Sequence, residues 1–334
     1  GIRDSSTSRW LGDVYKRQVL FCLSIMTLVT GTYNISIGEL INTFTLTANH
    51  QTEMVIYSFR LPRLIVVIFC GIALALSGLI LQAVSKNPLA DPGIVGVNAG
   101  SGLGVVIYIG FLSQILSHHI YLLPLMSFIG GVITVIIVFT LSFVRHQFKS
   151  QIFILIGIAT AMGMTGFVYL FTAMFDRRQM MMLNQYFAGN IIGDTWTFVI
   201  ISVPLIVFLI GLVYMCQRQI TMVELDDELL INLGMNVYKT KIFLLIISAL
   251  LSSIAVSIVG AISFLGLLAP HMSRMLVKST MKYHILYTAF IGAILLTLAD
   301  LLGKLMLAPM IIPTGIVVSI IGGPYFVYLL YKMK

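Results

Sequence analysis

Charge is what this sequence has least of. Only 10% of its 334 residues are Asp, Glu, Lys or Arg, against 59% apolar residues; a soluble domain carries about 25% charged and 45–50% apolar residues. With a mean hydropathy of +1.02, such a chain is soluble in a bilayer and not in water. Cysteine is scarce as well. Cys22, Cys70 and Cys216 stand far apart, with no C-x-x-C and no histidine at ligand spacing, so they read as small core residues and not as a disulfide framework or metal site. No G-x-x-x-x-G-K-[ST] stretch occurs, which removes the usual cradle for ATP phosphates. H-E-x-x-H, G-x-S-x-G and paired carboxylates inside apolar runs are also missing, which argues against a membrane protease or hydrolase. The expectation is a chain with no catalytic residues, cofactor or metal of its own.

What the sequence does have is long apolar runs. Hydrocarbon offers no water to backbone N–H and C=O groups, so spanning segments must be helices or a closed barrel. These runs are continuous and do not alternate at period two, which selects helices. At about 20 residues per crossing, runs fall near 19–37, 61–83, 94–112, 121–144, 152–175, 197–216, 241–262, 263–278, 284–304 and 312–331. The fold expected is an all-α polytopic membrane protein with ten transmembrane helices, the eighth short and barely separated from the seventh. An even count puts both termini on one side. The basic residues cluster on that side, among them Lys16, Arg17, Lys86, Arg145, Lys149, Arg218, Lys239, Lys241, Arg274, Lys278, Lys282, Lys332 and Lys334. Arg60, Arg63, Arg177, Arg178 and Lys304 fall on the other. That asymmetry makes the termini cytoplasmic. It also explains the net charge of +8 by topology and not by nucleic acid. Residues 1–18 are polar and read as a leader or a non-native remnant, leaving 19–334 as one transmembrane domain.

Small residues recur within the runs: Gly96, Gly100 and Gly104 at i, i+4, i+8, and Gly71 with Ala75 on one face. Such rows let helices approach closely. Asp300 is the acidic residue well inside an apolar run, a setting that makes it a functional suspect. Pairing with Lys304 at i+4 to hold helices together is the favoured reading, and a proton relay the alternative. His118 and His119 are adjacent and so point in different directions on a helix; they read as solvated loop residues. In 217–240, the longest cytoplasmic loop, Asp226, Asp227 and Glu228 suit a helix N-terminus, Leu229, Leu230 and Leu233 form an apolar stripe, and Gly234 suits the stop. Two prolines in Asn87–Gly93 force a turn there.

Five segments point further: R-L-P-R at Arg60–Arg63, N-P-L-A-D-P-G at Asn87–Gly93, G-A-I-S-F-L-G-L-L-A-P-H-M-S-R at Gly260–Arg274, A-D-L-L-G-K at Ala299–Lys304 and the terminal I-I-G-G-P-Y-F-V-Y-L-L. In this order they closely resemble the FecCD/BtuC family of ABC importer permeases. The resemblance implies a ten-helix permease fold in the bacterial cytoplasmic membrane and pairing with a second permease subunit, identical or paralogous. It implies two cytoplasmic ABC ATPases that use the ATP, and an extracytoplasmic substrate-binding protein. It implies a ferric siderophore as cargo, with haem or cobalamin as alternatives; a proton-coupled secondary transporter using Asp300 is the reading from another class. Residue by residue, it implies that Arg60, Arg63 and Lys304 receive glutamates of the binding protein. Asp226, Asp227, Glu228, Leu229, Leu230, Leu233 and Gly234 would couple to the ATPase. Asn87, Pro88, Asp91, Pro92, Pro270, His271 and Arg274 are turn or gate candidates.

Overall fold

Continuous apolar runs become helices because a helix satisfies every backbone group within itself, and the computed structural model is a helical bundle. It describes residues 17–31, 33, 35–45, 47, 49–113, 121–144, 147–148, 150–276, 280–307 and 310–332. His118, His119 and most of 1–18 lie outside them. In chain order the helices are α1 (Arg17–Val29), α2 (Ile37–Phe44) and α3 (His50–Met54), which continues through a π-helical turn into α4 (Leu61–Ser85). Then come α5 (Val97–Ile107), α6 (Leu122–Ser142), α7 (Ser150–Thr172), α8 (Arg177–Phe187), α9 (Trp196–Met215), α10 (Gln217–Val223) and α11 (Asp227–Asn232). The chain closes with α12 (Val237–Val259), α13 (Leu265–Leu276), α14 (Met281–Leu305) and α15 (Thr314–Lys332). A two-residue antiparallel pair, Phe143–Val144 with Gln147–Phe148, links α6 to α7.

Seven of these helices are long and apolar enough to cross a membrane: the continuous 50–85 segment, α6, α7, α9, α12, α14 and α15. Two of the remaining expected spans, α1 and α5 with its π-helical extension, are shorter apolar helices. The expected eighth span is α13, of 12 residues, set apart from α12 by Gly260 and Phe264, both at positive φ.

The centre of the bundle is the pair α4 and α12, each with 78% of its apolar window buried, whereas α7 is only 17% buried. Ser77 and Ser248 bridge the central pair hydroxyl to hydroxyl at 2.8 Å in the buried core. The small-residue rows do what their spacing predicted. A Cβ on Gly104 would lie 2.1 Å from the Met126 carbonyl oxygen of α6, and one on Gly71 2.6 Å from the Gly292 carbonyl oxygen of α14. Of the cysteines, Cys70 and Cys216 are buried but Cys22 is exposed on α1, a departure from the core reading. Apolar thiols on the outer wall of a bundle need no protein neighbours in lipid.

Candidate functional site

Helices α4 and α14 run antiparallel, so Arg63 near the start of one meets Asp300 and Lys304 near the end of the other. Arg63 donates to Asp300 Oδ1 from Nε at 3.1 Å and from Nη2 at 2.8 Å. Lys304 Nζ lies 2.7 Å from Asp300 Oδ2, and Thr314 Oγ1 donates to Oδ1 at 3.2 Å. Asp300 is 1% exposed. The expected pair with Lys304 is therefore present, and Arg63, distant in sequence, is its second cation. This geometry is a brace: two cations and a hydroxyl surround the carboxylate. Arg63 also reaches the surface, its Nη1 3.8 Å from the 43% exposed Asp194. Arg60 is occupied differently. Its guanidinium donates to the carbonyls of Leu28 and Val29 at the C-terminus of α1 and to that of Tyr33 just beyond it, where helix-end carbonyls favour a cation.

At the other end of α4, roughly 35 Å away at 1.5 Å per residue, Lys86 ends the helix in the left-handed conformation and the 87–96 turn begins. Asn87 Oδ1 accepts from the Leu89 amide at 2.9 Å and Asp91 Oδ2 from the Gly93 amide at 2.9 Å, the local bonds that asparagine and aspartate bring to turns. Asp91 is buried and also takes bonds from the amides of Leu267 and Gly266 at the start of α13; burial pushes its carboxyl up to about 6 against the pull of these donors. Pro92 packs against Gly266. Pro270, inside α13, has no N–H to give the carbonyl four residues back, which is that of Gly266. Gln82 Nε2 takes the vacancy, 3.3 Å from Gly266 O and 3.4 Å from Leu267 O. His271 stacks edge-on against Tyr325 of α15, with ring centroids 6.0 Å apart.

Beside this turn opens a cavity of about 880 Å³ between α5, α7, α8 and α15, lined among others by Gly93, Asn98, Thr165, Tyr169, Thr172, Asn184, Ser263 and Ser319. None of its lining residues is charged or a histidine. Asn98 Nδ2 donates to Ile262 O at 3.2 Å and Ser263 Oγ at 3.1 Å, while its Oδ1 has no partner. Polar groups on α7, the least buried of the seven long helices, do not belong against hydrocarbon. This face belongs against water, cargo or another protein.

On the Lys86 side, the predicted helix stands as α11 with Asp226 at its N-cap. It is closed by Gly234 at positive φ and by the Gly234 and Met235 amides, which bond Ile231 O and Leu230 O. The expected stripe divides: Leu230 is fully buried against its own bundle, whereas Leu229 and Leu233 are 50% and 71% exposed, with Ile231 beside them at 62%. Leu230 turns inward because α11 is tied down by its first residue. Asp227 receives Lys241 Nζ at 2.7 and 2.9 Å and Lys86 Nζ at 3.0 Å. Glu228 lies in the same first turn. Nearby, Arg274 donates to Glu224 Oε1 at 3.1 Å and to His284 Nε2 at 3.3 Å. In the sequence Lys241 counted only as one of the cytoplasmic cations and His284 was not singled out, because each gains its partner only through folding.

Burial raises the Asp227 carboxyl, but hydrogen bonds from Lys241 and Lys86 outweigh it and hold the group below its ordinary 3.8. A lowered carboxyl contributes stability that is present above the unfolded value and lost as pH falls through the folded one. The melting temperature of the purified protein should therefore drop as pH falls below about 4, with a shallower drop in Asp227→Asn; equal slopes would remove Asp227 from the acid response.

A helical bundle with seven helices long and apolar enough to cross a membrane, opening on a neutral polar cavity, has the form of a membrane transport subunit. The chain belongs to the FecCD transport family, which matches residues 19–332. It is 32% identical over 321 residues to the iron-uptake system permease protein FeuC of Bacillus subtilis, covering 95% of this chain and 96% of that one. It is 35% identical over 286 residues to the iron(3+)-hydroxamate import system permease protein FhuG of the same organism, covering 84% and 85%. The Fe(3+) dicitrate transport system permease protein FecD of Escherichia coli is 32% identical over 290 residues, covering 86% and 88%. Among solved structures, one described as an inward-facing conformation of a metal-chelate type ABC transporter superposes with a TM-score of 0.81 at 25% identity, covering 96% of this chain and 98% of that one.

Proposed function

We propose that this chain is the permease subunit of an ATP-driven importer that carries a ferric chelate, a siderophore foremost, into the cytoplasm. The observation that carries the reading is the open, uncharged cavity on the least buried helical face, lying between two polar ends of the bundle. The chain crosses the membrane ten times, with α1, α5 and α13 joining the seven long helices, and both termini are cytoplasmic, as the distribution of lysine and arginine supports. A second permease subunit completes the cavity wall. An ATPase receives the exposed Leu229, Ile231 and Leu233 of α11, and alternating access moves the cargo between subunits. ATP binds to the ATPase and not to this chain.

The outer end receives a substrate-binding protein. Supporting this, the long 3.8 Å contact of Arg63 with half-exposed Asp194 is one that a partner carboxylate could displace, since arginine offers two parallel donors to such a group. Asp194→Asn, which frees that edge, should tighten binding-protein association several-fold in a pull-down titration; weaker association would assign the edge elsewhere.

The reading is tested by reconstituting the complex and comparing ATP-dependent vesicle uptake of a ferric siderophore, haem and cobalamin. Filling the cavity with Ala161→Trp and Ser319→Trp should cut uptake tenfold or more at equal protein level. Uptake unaffected by both would move the path elsewhere. Leu229→Asp with Leu233→Asp should abolish co-purification of the ATPase, because a charge on a buried docking surface stays unpaired.

A further inference from the structure

The docking helix and the cavity lie apart, and one ion cluster stands at the root of both routes between them. We propose that Lys241 is a positioning residue that transmits movement of α11 to the cavity wall, by locking Asp227 to α12 and, with Lys86, to the end of α4. This rests on the reading of α11 as the ATPase docking helix.

The cluster is built as a joint. Lys241 is 1% exposed and grips both oxygens of Asp227, at 2.7 and 2.9 Å, while Lys86 holds Oδ1 at 3.0 Å. Three elements that are separate in sequence thus meet at one carboxylate. An ammonium this deep is held by its partner, because a buried charge that loses its counter-ion is strongly destabilised. The two anchors lead to the same place. From Lys86 the chain enters the 87–96 turn, pinned by the Asp91 bond to the Gly93 amide at 2.9 Å, and Gly93 and Asn98 line the cavity. From Lys241, α12 runs through the Ser77–Ser248 bridge to Gly260, and the adjacent Ala261 lines the same cavity. Packed helices and hydrogen-bonded turns move as units, so displacement of Asp227 reaches both walls. Without the ion pair, α11 keeps its buried Leu230 but is free to slide.

The experiment uses the full complex with its ATPase, Cys22→Ser, and spin labels at Met162 on α7 and Ile320 on α15, which are 71% and 60% exposed. The inter-label distance is read with and without a non-hydrolysable ATP analogue. The wild-type background should shift on the order of 2 Å or more. Lys241→Met should lose at least half of that shift while still co-purifying with the ATPase, and Lys241→Arg should keep it. Asp227→Asn with Lys241→Met removes the buried ammonium together with its counter-ion and leaves only Lys86, whose side chain is 30% exposed and reaches water; it should melt close to the parent and still lose the shift. A full shift in the double variant overturns the joint and leaves α11 docking intact. A wild-type distance indifferent to nucleotide overturns alternating access itself and the joint with it, and loss of ATPase co-purification in Lys241→Met reassigns Lys241 to docking.

Discussion

Gly78→Leu is expected to prevent the protein from reaching its native fold, with little or no monodisperse protein recovered in detergent. A Cβ at Gly78 would lie 1.9 Å from the Gly266 carbonyl oxygen and 2.5 Å from the Gly266 Cα, and both are backbone atoms that cannot rotate away. Overpacking a core that can adjust side chains costs about 1–3 kcal/mol; here an entire helix must withdraw, so the loss lies above that range. The contact exists because Pro270 leaves the Gly266 carbonyl without its helical donor, and Gln82 and the bare face of Gly78 close over it. Displacing α13 would also pull Gly266 off Asp91 and Pro92, disturbing the turn beside the cavity. Gly78→Ala tests the same contact more gently, with lower melting temperature and lower uptake expected together. Native stability in both variants would refute the close approach.

Arg63→Leu is expected to destabilise the protein by about 3–5 kcal/mol, because Asp300, 1% exposed, would keep only Lys304 as a counter-ion. The diagnostic partner is Arg63→Leu with Asp300→Leu and Lys304→Leu, because Lys304 at 2.7 Å would otherwise lose its counter-ion. Replacing a buried ion cluster by apolar groups is often neutral, so the triple variant should regain most of the lost melting temperature. Failure to regain it would mean that the cluster works through packing and not through charge. The same geometry bears on any test of docking at the outer end. Arg63→Glu would place two carboxylates against each other in the core, and loss of uptake would then report collapse of the brace instead of loss of a partner. Asp194→Asn leaves the brace untouched and separates the two.

Much of the site was legible residue by residue. The boundaries of α11 followed from an acidic first turn and a closing glycine, and the turn at 87–96 from two prolines, because capping and turn chemistry act over a few residues. The approach of α5 to α6 followed from glycine at every fourth position. Less legible was the direction in which each side chain faced. Leu229, Leu230 and Leu233 look alike in the sequence, and only the tether of Asp227 to Lys241 decides that Leu230 packs inward. Likewise Arg60 reads as a surface cation, yet its guanidinium caps the end of α1.

The sequence by itself determined that the chain lives in a membrane, that it is helical and that it belongs with importer permeases. Those properties rest on composition and on local motifs, which survive whatever the tertiary arrangement. Only the tertiary structure decided that Asp300 also takes Arg63 as a second cation, that Lys241 grips α11, and that uncharged polar groups from α5, α7, α8 and α15 surround one cavity. Each of these joins residues on different helices, 14 positions apart for Lys241 and Asp227 and 237 for Arg63 and Asp300, and in such pairs the partner is chosen by helix packing and by the penalty for leaving a charge unpaired away from water.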